Sequence, residues 1–184
     1  KPYNPAETEP RISAVWDESG YFNPDNLPAR HKEPFSIIMP PLNANGHIHA
    51  GHALTMTLQD IMIRYKRMRG FKTLWVPGAD HAGFETQIVY EKKLEKEGRS
   101  RFKMDPKLLY DEIYAFTLDN KQYIENEVKK LGSSCDWSRE RFTLEPEIVT
   151  EVQKTFKKMF DAGLVYRGAR IVNWCSKHQT SLSD

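Results

Sequence analysis

Cysteine is scarce: Cys135 and Cys175 are the only two in 184 residues. Two thiols cannot build a disulfide framework, so a reducing, cytoplasmic setting is expected. Long apolar runs are missing as well. Nothing approaches the ~20 consecutive apolar residues of a spanning helix, which excludes a membrane-spanning protein. No sign of charge dominates, since 27 basic against 25 acidic side chains leave a net +2. That balance neither demands nor excludes a nucleic-acid partner. The opening residues, Lys1-Pro2-Tyr3-Asn4-Pro5, form no apolar signal core. There is no repeat and no low-complexity tract. What remains is a globular composition on its polar side, 39% apolar, 28% charged and 11% aromatic, with mean hydropathy −0.66. It is too apolar and too aromatic for disorder. The length suits one domain or a piece of a larger one.

Residues 1–34 are polar and proline-rich and read as an irregular extension, with a short helix around Arg11–Ser19. Phe35–Met39 is a short apolar run closed by Pro40-Pro41, the pattern of a buried strand. Leu42 to Gly51 reads as a loop. Leu54, Leu58, Ile61, Tyr65 and Met68 then recur at offsets of 4, 3, 4 and 3, which predicts an amphipathic helix with these residues on one face. Gly70 is its stop. Thr73–Val76 reads as a second strand, running into Pro77-Gly78. Strand, helix and strand in this order predict a parallel crossover. Further helices are expected over 84–97, from Asp105-Pro106 to Gly132, and from Pro146 to Gly163. Leu164–Tyr166 and Arg170–Trp174 read as strands. Ser183-Asp184 carries neither a cap nor a polar tail, so the chain is expected to continue.

Four of the six histidines, His47, His49, His52 and His81, fall between positions 47 and 81. Three of them lie where the first strand hands over to the helix. Ligands bind at that edge of an open α/β sheet, and backbone N–H groups at a helix start suit phosphate oxygens. His49 and His52 are three apart and project from one side of a helical turn, so both imidazoles could donate to phosphate. Gly51, without a Cβ, lets a ligand ring approach the backbone. Two other readings stand beside this one: histidines as turn and cap residues, or as metal ligands. Against metal, residues 40–60 hold no Cys or Glu, and Asp60 is the one acid. A Walker-type phosphate loop is excluded because no Gly-Lys-Ser/Thr follows the strand. Asp80, in Pro77-Gly78-Ala79-Asp80-His81-Ala82-Gly83, opens on the same edge. It suits either a substrate ammonium or the N-cap of the next helix.

His49-Ala50-Gly51-His52, after an apolar strand and before a helix, resembles the His-x-Gly-His signature of class I aminoacyl-tRNA synthetases. Pro40-Pro41-Leu42-Asn43 and Gly78-Ala79-Asp80-His81-Ala82-Gly83 resemble the corresponding loops of that family's valyl branch. Cys135-Asp136-Trp137-Ser138-Arg139-Glu140-Arg141-Phe142-Thr143 resembles a block shared by its valyl, isoleucyl and leucyl members. Tyr166-Arg167-Gly168, Val172-Asn173-Trp174-Cys175 and Thr180-Ser181-Leu182-Ser183-Asp184 extend the likeness, which runs in order from about Trp16 to Asp184. Ala44-Asn45-Gly46 is closer to the isoleucyl pattern, and Phe84-Glu85-Thr86-Gln87 departs from the commoner valyl one. The family's second signature, Lys-Met-Ser-Lys-Ser, is absent from these residues.

The resemblance implies an α/β fold, the first half of a Rossmann-like parallel nucleotide-binding sheet with helical additions. It implies an extension over 1–34, that half-domain over 35–163, and the start of the editing insertion over 164–184. The implied activity of a full-length parent is activation of valine with ATP and Mg²⁺ and transfer to tRNA(Val), with isoleucyl specificity or a non-catalytic nucleotide-binding half-domain as the alternatives. By resemblance, His49 and His52 are catalytic and bind ATP together with Gly51. Pro40, Pro41, Asn43 and Asp80 bind the amino acid. Cys175 and His178 have the spacing of a zinc half-site. Two ligands are not four, so Zn²⁺ is expected only if a longer parent supplies the rest.

Overall fold

The computed structural model describes residues 2–182. The chain divides between Glu145 and Pro146 into two compact units. Ser183 and Asp184, the end of the last matched motif, lie outside the described residues.

The first unit starts with helix α1 (Pro5–Ser19), longer than its sequence pattern suggested and ended by Gly20 at φ 65°. Strand β1 (Pro34–Ile38) follows, then β2 (Leu42–Asn43), α2 (Ala50–Met68), β3 (Lys72–Val76) and β4 (Gly78–Asp80). Next come α3 (Gly83–Lys96), α4 (Pro106–Lys130) and β5 (Arg141–Phe142). β1 pairs with β3 in parallel, Phe35 opposite Thr73 and Ile38 opposite Val76. The expected crossover is therefore present. Farther along, β4 lies between β2 and β5, again all parallel.

These are stretches of one sheet interrupted by prolines. Met39 still donates to the Val76 carbonyl at 2.9 Å, and Ala44 to the Asp80 carbonyl at 2.7 Å. Between them, Pro40, Pro41 and Pro77 have no N–H to give, so the ladder lapses there. The interruption lies just before Asn43 and Asp80, which are direct register partners.

The core lies between the sheet, α2 and α4. Met39, Leu42, Met56, Ile63, Trp75, Ile124, Val128 and Cys135 are all buried, with Phe35, Ile37, Ile48 and Trp137 packed around them. Trp75 is wholly buried, and its indole N–H donates to Gln59 Oε1 at 2.9 Å, as a buried indole requires. Truncating it to Ala would cost ~3–5 kcal/mol.

The apolar face that periodicity marks on α2 is not the face that packs against the core. Leu54, Leu58, Ile61, Tyr65 and Met68 are all more than half exposed; Met56 and Ile63 are the buried residues of the helix. Periodicity identifies the helix and one apolar stripe, and burial follows another. The sheet-facing side carries polar groups because those groups are satisfied there. Asp60 accepts from the Ser134 amide at 3.0 Å and from Arg64 Nε at 2.7 Å, while Arg64 also donates to the Gly132 carbonyl at 2.6 Å. Arg67 donates to Thr73 Oγ1 and to the Ser134 hydroxyl and carbonyl, at 3.1–3.2 Å. Burial, with Arg64 nearby, brings Arg67 down to about 10. This network fixes residues 132–136 against α2. The chain then runs beside β3, with the Asp136 amide on the Trp75 carbonyl at 2.9 Å, and delivers β5 to the edge of β4.

The second unit holds α5 (Pro146–Asp161), as expected from its pattern, and a small antiparallel pair, β6 (Trp174–Cys175) with β7 (Thr180–Ser181). Leu164–Tyr166 and Arg170–Asn173 are not strands, against expectation; of those two runs only Trp174 enters a ladder. A strand needs a partner to satisfy its backbone; among the described residues the Leu182 N–H donates to the Asn173 carbonyl at 2.8 Å, but no ladder extends along either run.

Candidate active site

His49 is the N-cap of α2, and the two signature histidines cap the helix for each other. His49 Nδ1 accepts the Gly51 N–H at 3.1 Å, and His52 Nδ1 accepts the His49 N–H at 3.3 Å. This has the form of a capping box, built from two imidazoles. Their rings stack with centroids 3.8 Å apart and planes 19° from parallel. A ring nitrogen that accepts carries no proton, so each neutral imidazole has its hydrogen on Nε2. No hydrogen bond reaches either Nε2 among the described residues. Burial, and then the neighbouring His49, lower the His52 pKa below the ordinary histidine value, which favours the neutral donor. The cap reading and the donor reading of these histidines are therefore compatible.

Gly51 has a nearer reason for its identity than a ligand. A Cβ there would sit 2.9 Å from His49 Cε1 and 3.1 Å from Nδ1. Any larger residue would push the capping ring away.

The loop before α2 is held from behind by α4. Glu127 accepts the Ile48 N–H at 2.9 Å through one oxygen and bonds His47 Nδ1 at 3.0 Å through the other. The His47 ring stands edge-on to Tyr123, 4.7 Å away. The Ile48 amide first, and His47 second, hold the Glu127 carboxyl below the usual glutamate range. Nothing in local sequence joins Glu127 to the histidine motif, so this anchor was not foreseen.

Asp80 ends β4. It is not the N-cap of α3, as one reading had it: that position belongs to Ala82, in the left-handed region at φ 53°, with Gly83 at φ 34° behind it. A non-glycine residue there is strained. Asp80 Oδ1 accepts the Ala82 N–H at 3.0 Å and the Thr143 hydroxyl at 3.1 Å. Thr143, just past β5, also accepts the His81 N–H at 2.9 Å and lies 2.6 Å from His81 Nδ1. Asn43 stands exposed beside Asp80 in register, and Pro40 and Pro41 are exposed at the ladder break. A Cβ on Gly78 would touch Pro41 Cβ at 3.5 Å, so the two segments are close. His81 and Gly83 border a cavity of about 270 Å³ that continues between α3 and α4. None of Pro40, Pro41, Asn43, His49, Gly51, His52 or Asp80 lines it. Those residues sit instead on the open C-terminal edge of the sheet.

In the second unit, Cys175 Sγ and His178 Nδ1 are 3.2 Å apart. No group of three or more His, Cys, Asp or Glu side chains placed to hold a metal occurs among the described residues. No helix of the described residues is long and apolar enough to cross a membrane.

Comparison with known proteins shows the family. Valine–tRNA ligase from Dehalococcoides mccartyi strain ATCC BAA-2266 is 46% identical over 184 residues, all of this chain and 21% of that protein. Valine–tRNA ligase from Thermotoga maritima is 45% identical over 183 residues, 99% of this chain and 21% of the relative. Among solved structures, the ternary complex of Agrobacterium radiobacter K84 agnB2 LeuRS with tRNA and LeuAMS superposes with a TM-score of 0.77 at 25% identity, over 98% of this chain and 21% of that one. The chain thus spans about a fifth of the length of these relatives. The profile of the family described as tRNA synthetases class I (I, L, M and V) matches residues 11–184, and the chain belongs to that family.

Proposed function

We propose that this chain is the part of a valine–tRNA ligase that receives ATP and the amino acid. One observation carries the reading: His49 and His52 hold each other at a helix start through Nδ1, which leaves both Nε2–H donors without a hydrogen-bond partner among the described residues, at the start of the helix that follows β2, the strand paired with β4 and its terminal Asp80. An anion and an ammonium group are the natural occupants of those two features.

The reaction needs no protein nucleophile. A valine carboxylate oxygen attacks the α-phosphorus of ATP, the bond to the β-phosphate oxygen breaks, and pyrophosphate leaves with the electron pair. A hydroxyl of the terminal adenosine of tRNA(Val) then attacks the valyl carbonyl and AMP leaves. This chain's contribution is position and charge. His49 and His52 donate through Nε2 to phosphate oxygens whose charge grows in the transition state. Asp80 Oδ2 takes the valine ammonium, with Asn43, Pro40 and Pro41 forming the wall beside it. Gly51 keeps the capping rings in place and leaves room for adenosine above the helix start. Mg²⁺ would enter with ATP, held largely by the phosphates, and would supply further neutralisation of their charge. A cytoplasmic setting fits this work.

The test is a chimera in which these 184 residues replace the matching 21% of the D. mccartyi relative. It should exchange pyrophosphate into ATP in the presence of valine. His52→Ala should slow that exchange ~10²–10³-fold with valine affinity little changed. A folded chimera that prefers isoleucine overturns the specificity. One that binds ATP but exchanges with neither amino acid supports a non-catalytic nucleotide-binding half-domain instead.

A further inference from the structure

We infer that Thr143 is a positioning residue for the Asp80 carboxylate that takes the amino-acid ammonium: its hydroxyl holds Asp80 Oδ1 and fixes the His81 tautomer, so that Oδ2 alone faces the substrate. The inference rests on Asp80 as the ammonium site and adds what aims it.

A threonine hydroxyl has one proton and two lone pairs. One lone pair is occupied by the His81 amide at 2.9 Å. Two groups compete for the proton, His81 Nδ1 at 2.6 Å and Asp80 Oδ1 at 3.1 Å. The third distance decides between them. His81 Nδ1 is only 3.4 Å from Asp80 Oδ1. If Nδ1 took the proton from Thr143, an unprotonated nitrogen would lie 3.4 Å from the carboxylate with no hydrogen between them, and Oδ1 would lose a donor. If Nδ1 carries its own hydrogen, it donates to Thr143, and Thr143 donates to Asp80. Every group is then satisfied and every dipole points the same way. His81 is therefore held as the Nδ1–H tautomer, the opposite of His49 and His52.

Asp80 Oδ1 now has the Ala82 amide and the Thr143 hydroxyl. No hydrogen bond reaches Oδ2 among the described residues. The carboxylate cannot rotate without giving up both donors. The backbone is pinned as well, since Ala44 donates to the Asp80 carbonyl at 2.7 Å and Thr143 to the Ala79 carbonyl at 3.2 Å. One oxygen is thus spent on the protein and the other kept for a cation, at an orientation set by a residue 63 positions away in sequence.

Thr143→Val keeps the shape and removes the hydroxyl; Thr143→Ser keeps the hydroxyl. Two readouts test the inference. In the ¹⁵N-labelled 184-residue chain, long-range ¹⁵N–¹H spectra should show His81 with its hydrogen on Nδ1. Thr143→Val should move it to Nε2, and Thr143→Ser should retain Nδ1–H. In the chimera, Thr143→Val should raise KM for valine about 10- to 100-fold, the worth of a hydrogen bond to a charged group. KM for ATP should change less than twofold, and Ser should restore KM for valine. An unmoved His81 tautomer, valine and ATP KM rising together, or failure of Ser to restore would each overturn the inference. A wild-type chimera without valine-dependent exchange defeats the synthetase reading instead, and the tautomer spectra then decide the hydrogen-bond arrangement by themselves.

Discussion

Glu127 makes a claim that can be checked without any substrate. It holds the loop before α2, with one oxygen on the Ile48 amide and the other on His47. Its side chain is 20% exposed, whereas His47 is 72% exposed. The two halves of the contact therefore differ in weight. An exposed imidazole–carboxylate pair contributes ~0–1 kcal/mol. A carboxylate accepting a half-buried amide contributes more, ~1.5–3 kcal/mol, less what water recovers when the partner is lost. Glu127→Ala should then cost ~1–2 kcal/mol, which in a chain of this size lowers Tm by roughly 3–6 °C. Glu127→Gln keeps an acceptor for Ile48 and should cost less than half as much. The pH dependence has a definite sign. The folded-state pKa of Glu127 is lowered, so its contribution is complete above the ordinary glutamate value of ~4.3. It disappears as pH falls through the lower folded value. The gap in Tm between wild type and Glu127→Gln should be constant above about pH 5 and close in acid. Melting by circular dichroism, with hydrogen exchange at the Ile48 amide, measures both effects. If Glu127→Ala melts within a degree of wild type and Ile48 exchanges no faster, the loop is held by something else.

Three further outcomes follow from distances already given. Gly51→Ala brings a Cβ to 2.9 Å from His49 Cε1, so it should break the imidazole cap and shift both histidine tautomers in ¹⁵N spectra; unchanged spectra would mean the loop yields. Asp80→Asn keeps an oxygen for Ala82 and Thr143 but removes the charge, so the chimera should need about 10- to 100-fold more valine while ATP affinity holds; equal loss for both substrates would point to a structural role. Burial pushes the Cys135 thiol up to about 12, so at pH 8 a thiol reagent should modify the half-exposed Cys175 far faster than Cys135, as peptide mapping would show.

The reading from sequence succeeded where the signal was local. A strand closed by two prolines, a histidine motif at a helix start and a second strand running into Pro77-Gly78 could each be placed from neighbours in the chain, whereas Gly78–Asp80, read as a loop, is strand β4. It failed where identity depends on a distant partner. Leu54, Leu58 and Ile61 look like core because apolarity is all that periodicity measures. The sheet instead takes the face on which Gln59 meets Trp75 and Arg67 meets Thr73 and Ser134, and no pattern of one residue type announces such pairs. Arg170–Asn173 has strand composition and no ladder, since strand propensity states only that a residue fits a sheet if one is offered. Glu127 went unmarked for the same reason, and Thr143 stood in a matched block without any role attached to it. Each acts through a contact with residues 60 to 80 positions away, and a single chain gives no sign of it.

The adjacency of β2, β4 and β5 has a consequence for the order in which the site comes into being. Contacts between remote parts of a chain carry a loop-closure cost before they return anything. The histidine cap is made within four residues, His49 to His52, and can form with the helix itself. Asp80 waits for Thr143, and the loop before α2 waits for Glu127. A chain emerging from the ribosome as far as Gly98 already carries every residue assigned here to phosphate and ammonium. It still lacks the two side chains that aim them. Recognition is encoded early in the polypeptide and its geometry arrives late.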